Sequence, residues 1–228
     1  MKHWKVALGI IPAFLAVSGV AHSQTIAFDV ASGTIGHQAF GGSLGLDFNV
    51  VSTIQVSSLG FFDSGSDGIK GTNTAITVQL FDRNNTVAPV ATQTFTSGSA
   101  GTLASGSGFS FKSISLLTLA AGGQYRIVAS GFNASDPNGH TGSVGDPAAT
   151  RNDGGGLISF PLSGGNYLGY YDNASLVYPN NQDPADSYLA GSFQFAKAVV
   201  VTPEPGAWGL LFGATVPGML LYRRMRRK

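Results

Sequence analysis

Residues 74–82 read TAITVQLFD and run into the polar turn DRNNT at 82–86. Ile76, Val78 and Leu80 alternate with polar residues along this stretch. Because successive side chains of a strand point to opposite faces, a period of two predicts a strand with one buried face. The stretch therefore indicates one strand of a sheet that covers an apolar core.

The same alternation recurs through the middle of the chain. GQYRIVASGF (123–132) alternates similarly, and FSFKSIS (109–115) places Phe109 and Phe111 on one face. Turn clusters rich in Gly, Ser, Asn and Asp separate these segments, and no segment has a convincing amphipathic helical pattern. Many short strands at regular spacing predict an all-β fold, an antiparallel β-sandwich of jelly-roll type. Further strands are predicted at 46–51, 53–62, 89–96, 157–160, 166–171 and 187–200.

The two ends of the chain are basic, whereas its middle is acidic. Between Gln24 and Thr202 there are six bases and eleven Asp, so the central domain is about five charges negative. Such a domain repels phosphate, which predicts no nucleic-acid partner. The chain has no Cys, which excludes disulfides, thiolate metal sites and cysteine nucleophiles.

The first 23 residues have the pattern of a secretory signal peptide. Lys2 and Lys5 precede an apolar run, and small residues follow it. This order of charged, apolar and small-residue regions predicts cleavage after Ala21 or after Ser23. An uncleaved anchor helix is the alternative, and in both cases the following domain leaves the cytoplasm.

The last residues, VTPEPGAWGLLFGATVPGMLLYRRMRRK (201–228), predict a membrane span. Gly206 to Tyr222 is a run of seventeen residues without a charge, and as a helix it is about 25 Å long. An Arg at the bilayer centre costs about 2.5–3.5 kcal/mol, so a basic cluster stays on the cytoplasmic side. The domain is therefore expected outside the cytoplasm. The basic cluster comprises Arg223, Arg224, Arg226, Arg227 and Lys228.

Pro203, Glu204 and Pro205, followed by an apolar helix and an Arg-rich end, resemble the PEP-CTERM sorting signal of Gram-negative bacteria. The resemblance implies that a membrane protease-transpeptidase, an exosortase, cuts the tail near this motif and passes the protein towards the surface. Two prolines prevent the membrane helix from extending through them and leave an extended segment at the bilayer surface. The alternative is a plain single-span anchor.

The region from Val51 to about Gly131 carries a second resemblance. SSLGFFDSGSDGI, ITVQLFD, PVATQTFTSG and LTLAAGGQYRIVASG follow one another there, and YLAGSFQF closes the domain. The series resembles a β-sandwich module of exported PEP-CTERM proteins that is related to DUF4082-type domains, which implies a fold and no reaction. The predicted organisation is a signal peptide at 1–23, a sandwich ectodomain at 24–198, a linker with the PEP motif at 199–205, a transmembrane helix at 206–222 and a basic cytoplasmic end at 223–228.

The segment FDSGSDG at 62–68 is a candidate calcium loop. It offers Asp63 and Asp67, but the EF-hand pattern fails because Gly65 occupies its third position and Thr74 its twelfth. We interpret it as a turn held by hydrogen bonds from Asp side chains to the backbone. No metal and no cofactor is therefore predicted.

Two other features suggest catalysis only weakly. GGSLG at 41–45 matches the G-x-S-x-G pattern, but a nucleophile elbow needs a following helix, and a strand is predicted here. His37 and His140 have no second His or carboxylate at ligand spacing in the sequence. His140 is interpreted as an exposed loop residue; the alternative is a metal or acid–base role near Asp136 and Asp146.

These features predict an exported bacterial surface or extracellular-matrix protein that is not an enzyme. It is expected in the inner membrane with its ectodomain outside, and then at the cell surface or beyond it. The expected role is a structural or interaction role in envelope, exopolysaccharide or biofilm material, and the expected partners are an exosortase and exopolysaccharide. A secreted hydrolase is one alternative and requires a pocket with converging polar groups. A carbohydrate-binding module is another, because aromatic rings stack on sugars; its candidates are Tyr167, Tyr170, Tyr171, Tyr178 and Tyr188.

Overall fold

A computed structural model describes residues 24–142, 145–163, 166–183 and 187–199. Within these ranges there is no α-helix, and no helix is long and apolar enough to cross a membrane. The predicted signal peptide, with its candidate cleavage residues Ala21 and Ser23, lies outside the described residues. The PEP motif, the apolar run and the basic end lie outside them as well.

The described residues form short strands joined by turns, and the named strands all pair antiparallel. This confirms the all-β prediction. The strands are β1 (Thr25–Ile26), β2 (Phe28–Asp29), β3 (Ser43–Val50), β4 (Ile54–Phe62), β5 (Ile76–Asp82), β6 (Ala91–Phe95), β7 (Thr102–Leu103), β8 (Phe109–Leu119), β9 (Gln124–Ser130), β10 (Gly139–Thr141), β11 (Thr150–Arg151), β12 (Ile158–Ser159), β13 (Leu162–Ser163), β14 (Asn166–Tyr167), β15 (Gly169–Asp172), β16 (Asn181–Asp183), β17 (Ser187–Leu189) and β18 (Gly191–Lys197).

Two larger sheets make up most of the domain. Sheet one has the order β1-β18-β4-β8-β7, and sheet two has the order β16-β15-β3-β9-β5-β6 with β12 on β3. The stretch predicted as one strand at 187–200 is divided. Its first part, β17, pairs with β10, and its second part, β18, joins sheet one.

The apolar core lies between the two sheets. Phe48 of sheet two meets Phe193 of sheet one with ring centroids 4.5 Å apart, and Phe61 of sheet one meets Phe95 of sheet two at 4.8 Å. All four side chains are fully buried. Burying a Phe side chain contributes about 1.5–3 kcal/mol, so these rings hold the sheets face to face as a β-sandwich.

The strand registers place both ends of the domain at one end of the sandwich. Thr25 lies opposite Phe195, and Ile54 lies opposite Lys197. We call this end, with residues 24–25, 51–53 and 197–199, the tether pole.

The other end is about 25–30 Å away, because β4 runs the length of the sheet at about 3.3 Å per residue. There the loop that follows β4 donates its Gly65 amide to the Thr34 carbonyl (2.8 Å), and Ser64 Oγ accepts from the Gly36 amide (2.9 Å). We call this end, with residues 34–42, 63–73 and 131–142, the distal pole.

Candidate functional site

Two histidines and one aspartate meet at the distal pole. His140 Nδ1 lies 3.0 Å from Asp146 Oδ2, and His37 Nε2 lies 3.6 Å from Asp146 Oδ1. The imidazole rings of His37 and His140 are in edge-to-face contact, with centroids 4.5 Å apart and planes at 81°. One ligand atom from each residue lies within 4.8 Å of the others. We call these three residues the His–Asp centre.

Backbone hydrogen bonds to Asn138 hold His37 in place. The amides of His37 and Gln38 both donate to the Asn138 carbonyl, at 3.0 and 2.8 Å. The buried Asn138 side chain accepts from the Phe40 amide (3.0 Å) and donates to Gln38 Oε1 (2.8 Å). Gly36 makes this approach possible, because a Cβ there would lie only 2.3 Å from a neighbouring carbonyl oxygen.

The second histidine is fixed by a two-stranded sheet. His140 lies in β10 directly opposite Tyr188 in β17, so both side chains are on the same face. Asp146 follows shortly after β10, and only 11% of its side chain is exposed. The interpretation of His140 as an exposed loop residue is therefore wrong. His140 lies in a strand, and only about a quarter of its side chain is exposed.

Imidazole nitrogens with a carboxylate oxygen are the donor set that Zn²⁺ and neighbouring transition metals accept. Oxygen-seeking cations such as Ca²⁺ prefer six to eight oxygen ligands, which this group does not offer. The His–Asp centre is therefore a candidate metal centre of the transition-metal class.

A cleft of about 250 Å³ lies close to the His–Asp centre. Tyr188, the partner of His140 across the strands, donates from Oη to Asp183 Oδ2 (3.2 Å) at this cleft, and the Tyr171 ring contacts Phe40 edge-on. The full lining is Gln38, Phe40, Leu44, Tyr171, Asp183 and Tyr188.

The other three of the five tyrosines are engaged by arginines. The Arg126 guanidinium lies 3.3 Å from the centroid of the Tyr170 ring and 4.4 Å from that of Tyr178. Arg151 lies 3.7 Å from the centroid of the Tyr167 ring. Only Tyr171 and Tyr188 of the predicted tyrosines therefore line the cleft.

Arg126 belongs to a buried charge cluster on the outer face of sheet two. Its Nε and Nη2 donate to the two carboxylate oxygens of Asp47 (2.5 and 3.1 Å), and its Nη1 donates to the Pro179 carbonyl. Arg83 Nε is 3.3 Å from the same carboxylate. Burial raises the pKa of Tyr178, whose ring covers the cluster. The cluster attaches the segment around Pro179 to the sheet.

The candidate calcium loop is held by its own hydrogen bonds. The buried Asp63 carboxylate accepts from the amides of Asp67 and Gly68 (3.0 and 2.9 Å) and from Ser110 Oγ (2.7 Å). Asp67 points elsewhere and pairs with Lys70 Nζ at 2.8 Å. The two carboxylates are thus used separately, and the backbone bonds to Asp63 match the interpretation of the loop as a side-chain-held turn.

The G-x-S-x-G match has no elbow geometry. Ser43 begins β3, is fully buried, and its Oγ accepts from the Val177 amide (3.2 Å). A strand and not a helix follows it, as the sequence pattern predicts.

Comparison with protein-family models and with curated proteins found no match. No sequence motif identifies the His–Asp centre, because His37 and His140 are about a hundred positions apart in the chain. The one local signal is that each histidine adjoins a glycine, Gly36 or Gly139, whose missing side chain permits the close approach.

Proposed function

We propose that the protein is an exported bacterial surface protein whose PEP-CTERM tail is processed by an exosortase. The observation that carries this proposal is the position of the two chain ends. The domain begins and ends at the tether pole, so a leader before Gln24 and a tail after Val199 both leave from one end of the sandwich. A single membrane attachment there directs the distal pole outwards.

The role that fits this arrangement is non-catalytic display at the cell surface, in envelope, exopolysaccharide or biofilm material. The protein is held in the inner membrane first, with its ectodomain outside, and reaches the surface or the matrix after processing. The sandwich is proposed to be of the jelly-roll type, because neighbouring strands such as β4 and β8, or β3 and β9, come from distant parts of the chain.

The test is the mass of the C-terminal peptide of protein recovered from its native host. Wild type is expected to end near Pro203–Pro205, and the Glu204→Ala variant is expected to keep its tail. Thr202→Ala, one residue before the motif, is the matched control and should be processed like wild type. If wild type retains Arg223 to Lys228, the sorting proposal is wrong and the tail is a simple anchor.

A second candidate function is carbohydrate binding, favoured by the cleft beside the His–Asp centre. Tyr171 and Phe40 supply aromatic surface there, and Asp183 and Gln38 supply polar groups of the kind that accept and donate to sugar hydroxyls. A glycan array with the purified chain tests it. Tyr188→Phe, which removes the hydroxyl bound to Asp183, should weaken saturable binding, whereas Tyr167→Phe outside the cleft should not. Absence of saturable binding by wild type removes this candidate.

A further inference from the structure

We propose that His37, His140 and Asp146 bind one first-row transition-metal ion of the Zn²⁺ class. The ion joins the segment around His37 to β10, which carries His140, and to the loop after β10, which carries Asp146. The inference concerns the distal pole only and does not depend on how the tail is processed.

The distances are close to those that a bound ion requires. Zn–N and Zn–O distances of about 2.0–2.2 Å in a tetrahedron place neighbouring ligand atoms about 3.4 Å apart. Each imidazole nitrogen is already near this distance from one of the two Asp146 oxygens, His140 Nδ1 at 3.0 Å from Oδ2 and His37 Nε2 at 3.6 Å from Oδ1. One ligand atom from each of the three residues lies within 4.8 Å of the others. Closing the widest pair needs a shift of about 1.5 Å, which a rotation of the partly exposed His37 side chain supplies.

A single hydrogen bond does not explain why the imidazole rings of both His37 and His140 lie beside the Asp146 carboxylate. The contact between His140 Nδ1 and Asp146 explains why one imidazole lies beside the carboxylate. His37 Nε2 is directed at the second oxygen of the same carboxylate, at a distance longer than a hydrogen bond. Two imidazoles that converge edge to face on one carboxylate form the arrangement that a shared cation produces.

The surrounding backbone holds the centre from both sides. The Asn138 carbonyl accepts a hydrogen bond from the His37 amide, and Asn138 lies two residues before His140. One residue therefore fixes the spacing of the two histidines. A Cβ at position 139 would lie 3.3 Å from His37 Cε1, so Gly139 allows the His37 ring to lie against this strand. The two histidines are therefore supported on hydrogen-bonded backbone.

The donor set determines which ions bind. Neutral imidazole suits Zn²⁺, Cu²⁺, Ni²⁺ and Co²⁺, and a single carboxylate oxygen is too few for Ca²⁺ or Mg²⁺. Three protein ligands leave one position of a tetrahedral ion for a water molecule or for a donor from a partner.

The experiment is a calorimetric titration of the full chain in detergent micelles with ZnCl₂. The protein is purified without a polyhistidine tag and stripped with a chelator. We expect saturable binding of one ion per chain. At a free Zn²⁺ concentration of a hundred times Kd, the Tm should rise by about 5–10 °C. Equal concentrations of Ca²⁺ and Mg²⁺ should leave the Tm unchanged.

Ligand variants locate the ion. Substitution of a residue that merely orients a ligand costs 10–100-fold in metal affinity, so His37→Gln, His140→Gln and Asp146→Asn should each weaken Zn²⁺ binding by more than about 100-fold. The matched control is the double variant His3→Gln/His22→Gln, made in the chain that keeps its leader; it removes the other two histidines and should bind like wild type.

Two results would overturn the proposal: wild type that shows no saturable Zn²⁺ binding, or a control variant that loses the binding while His37→Gln keeps it. Should a ligand variant fail to fold, Co²⁺ added to wild type decides the matter. A tetrahedral or five-coordinate Co²⁺ site absorbs visible light strongly, and a spectrum like that of aqueous Co²⁺ would refute the site.

Discussion

Replacing Asp47 by Ala is expected to destabilise the sandwich by about 3–5 kcal/mol. The Asp47 side chain is fully buried, and it pairs with Arg126, of which only 4% is exposed. The substitution leaves a buried guanidinium that keeps only the Pro179 carbonyl and the faces of two tyrosines. Those contacts do not replace a carboxylate that binds two of its nitrogens.

The cost of the single substitution comes from the charge that is left behind, and not from the strength of the pair. Replacing both partners by apolar residues of similar volume, Asp47→Leu with Arg126→Met, is therefore expected to cost much less than Asp47→Ala alone. Arg83 makes the second contact to Asp47, and with 27% of its side chain exposed it is free to reorient into water.

Urea unfolding of the purified chain measures these differences. At an m-value of about 2 kcal/mol per M, the loss in Asp47→Ala corresponds to a midpoint lower by about 1.5–2.5 M. Asp67→Ala is the matched control, because it breaks an exposed pair with Lys70 and should cost less than about 1 kcal/mol. An Asp47→Ala midpoint equal to that of the control would refute the reasoning.

Three further predictions concern packing and charge. Gly36→Ala should cost about 1–3 kcal/mol in urea unfolding, because its Cβ would lie 2.3 Å from the Pro137 carbonyl oxygen; Gly98→Ala, with open space around it, should be neutral. Phe193→Ala should cost about 3–5 kcal/mol by the same assay, since the ring is buried against other rings of the core. Burial raises the pKa of Asp136, so the contribution of Asp136 to stability should fall as pH rises above 3.8 through its folded-state pKa. Asp136→Asn should flatten that part of the pH–stability profile, and an unchanged profile would contradict the assignment.

The alternation of apolar residues was enough to predict the strands that line the core. Ile76, Val78 and Leu80 are all fully buried in β5. The opposite face was harder to predict, because Arg126 and Val128 alternate with core residues and yet are buried too. Arg126 is covered by the segment around Pro179, whose approach depends on strand order and not on local pattern.

The His–Asp centre could not be predicted from local sequence for a similar reason. Nothing within a few residues of His37 identifies His140 as its neighbour, and their contact follows from the pairing of two loops through Asn138. The period of the apolar residues predicts which face of a strand is buried. It does not report which loops meet at the end of a sandwich, and both candidate sites lie where loops meet.

The composition of the domain explains how such loops are held without disulfides. Short Asp and Asn side chains accept a hydrogen bond from the backbone amide two residues later, which fixes a turn at little cost in side-chain entropy. A loop fixed in this way presents its other side chains in a constant geometry. At the distal pole, Asn133 makes such a turn just before the strand of His140, and Asn138 joins that strand to His37. In the proposed arrangement the tether pole supplies attachment, and the distal pole, about 25–30 Å away by strand length, carries preorganised side chains. The residues that accept these hydrogen bonds are Asp82, Asn133, Asn152, Asp153 and Asp172.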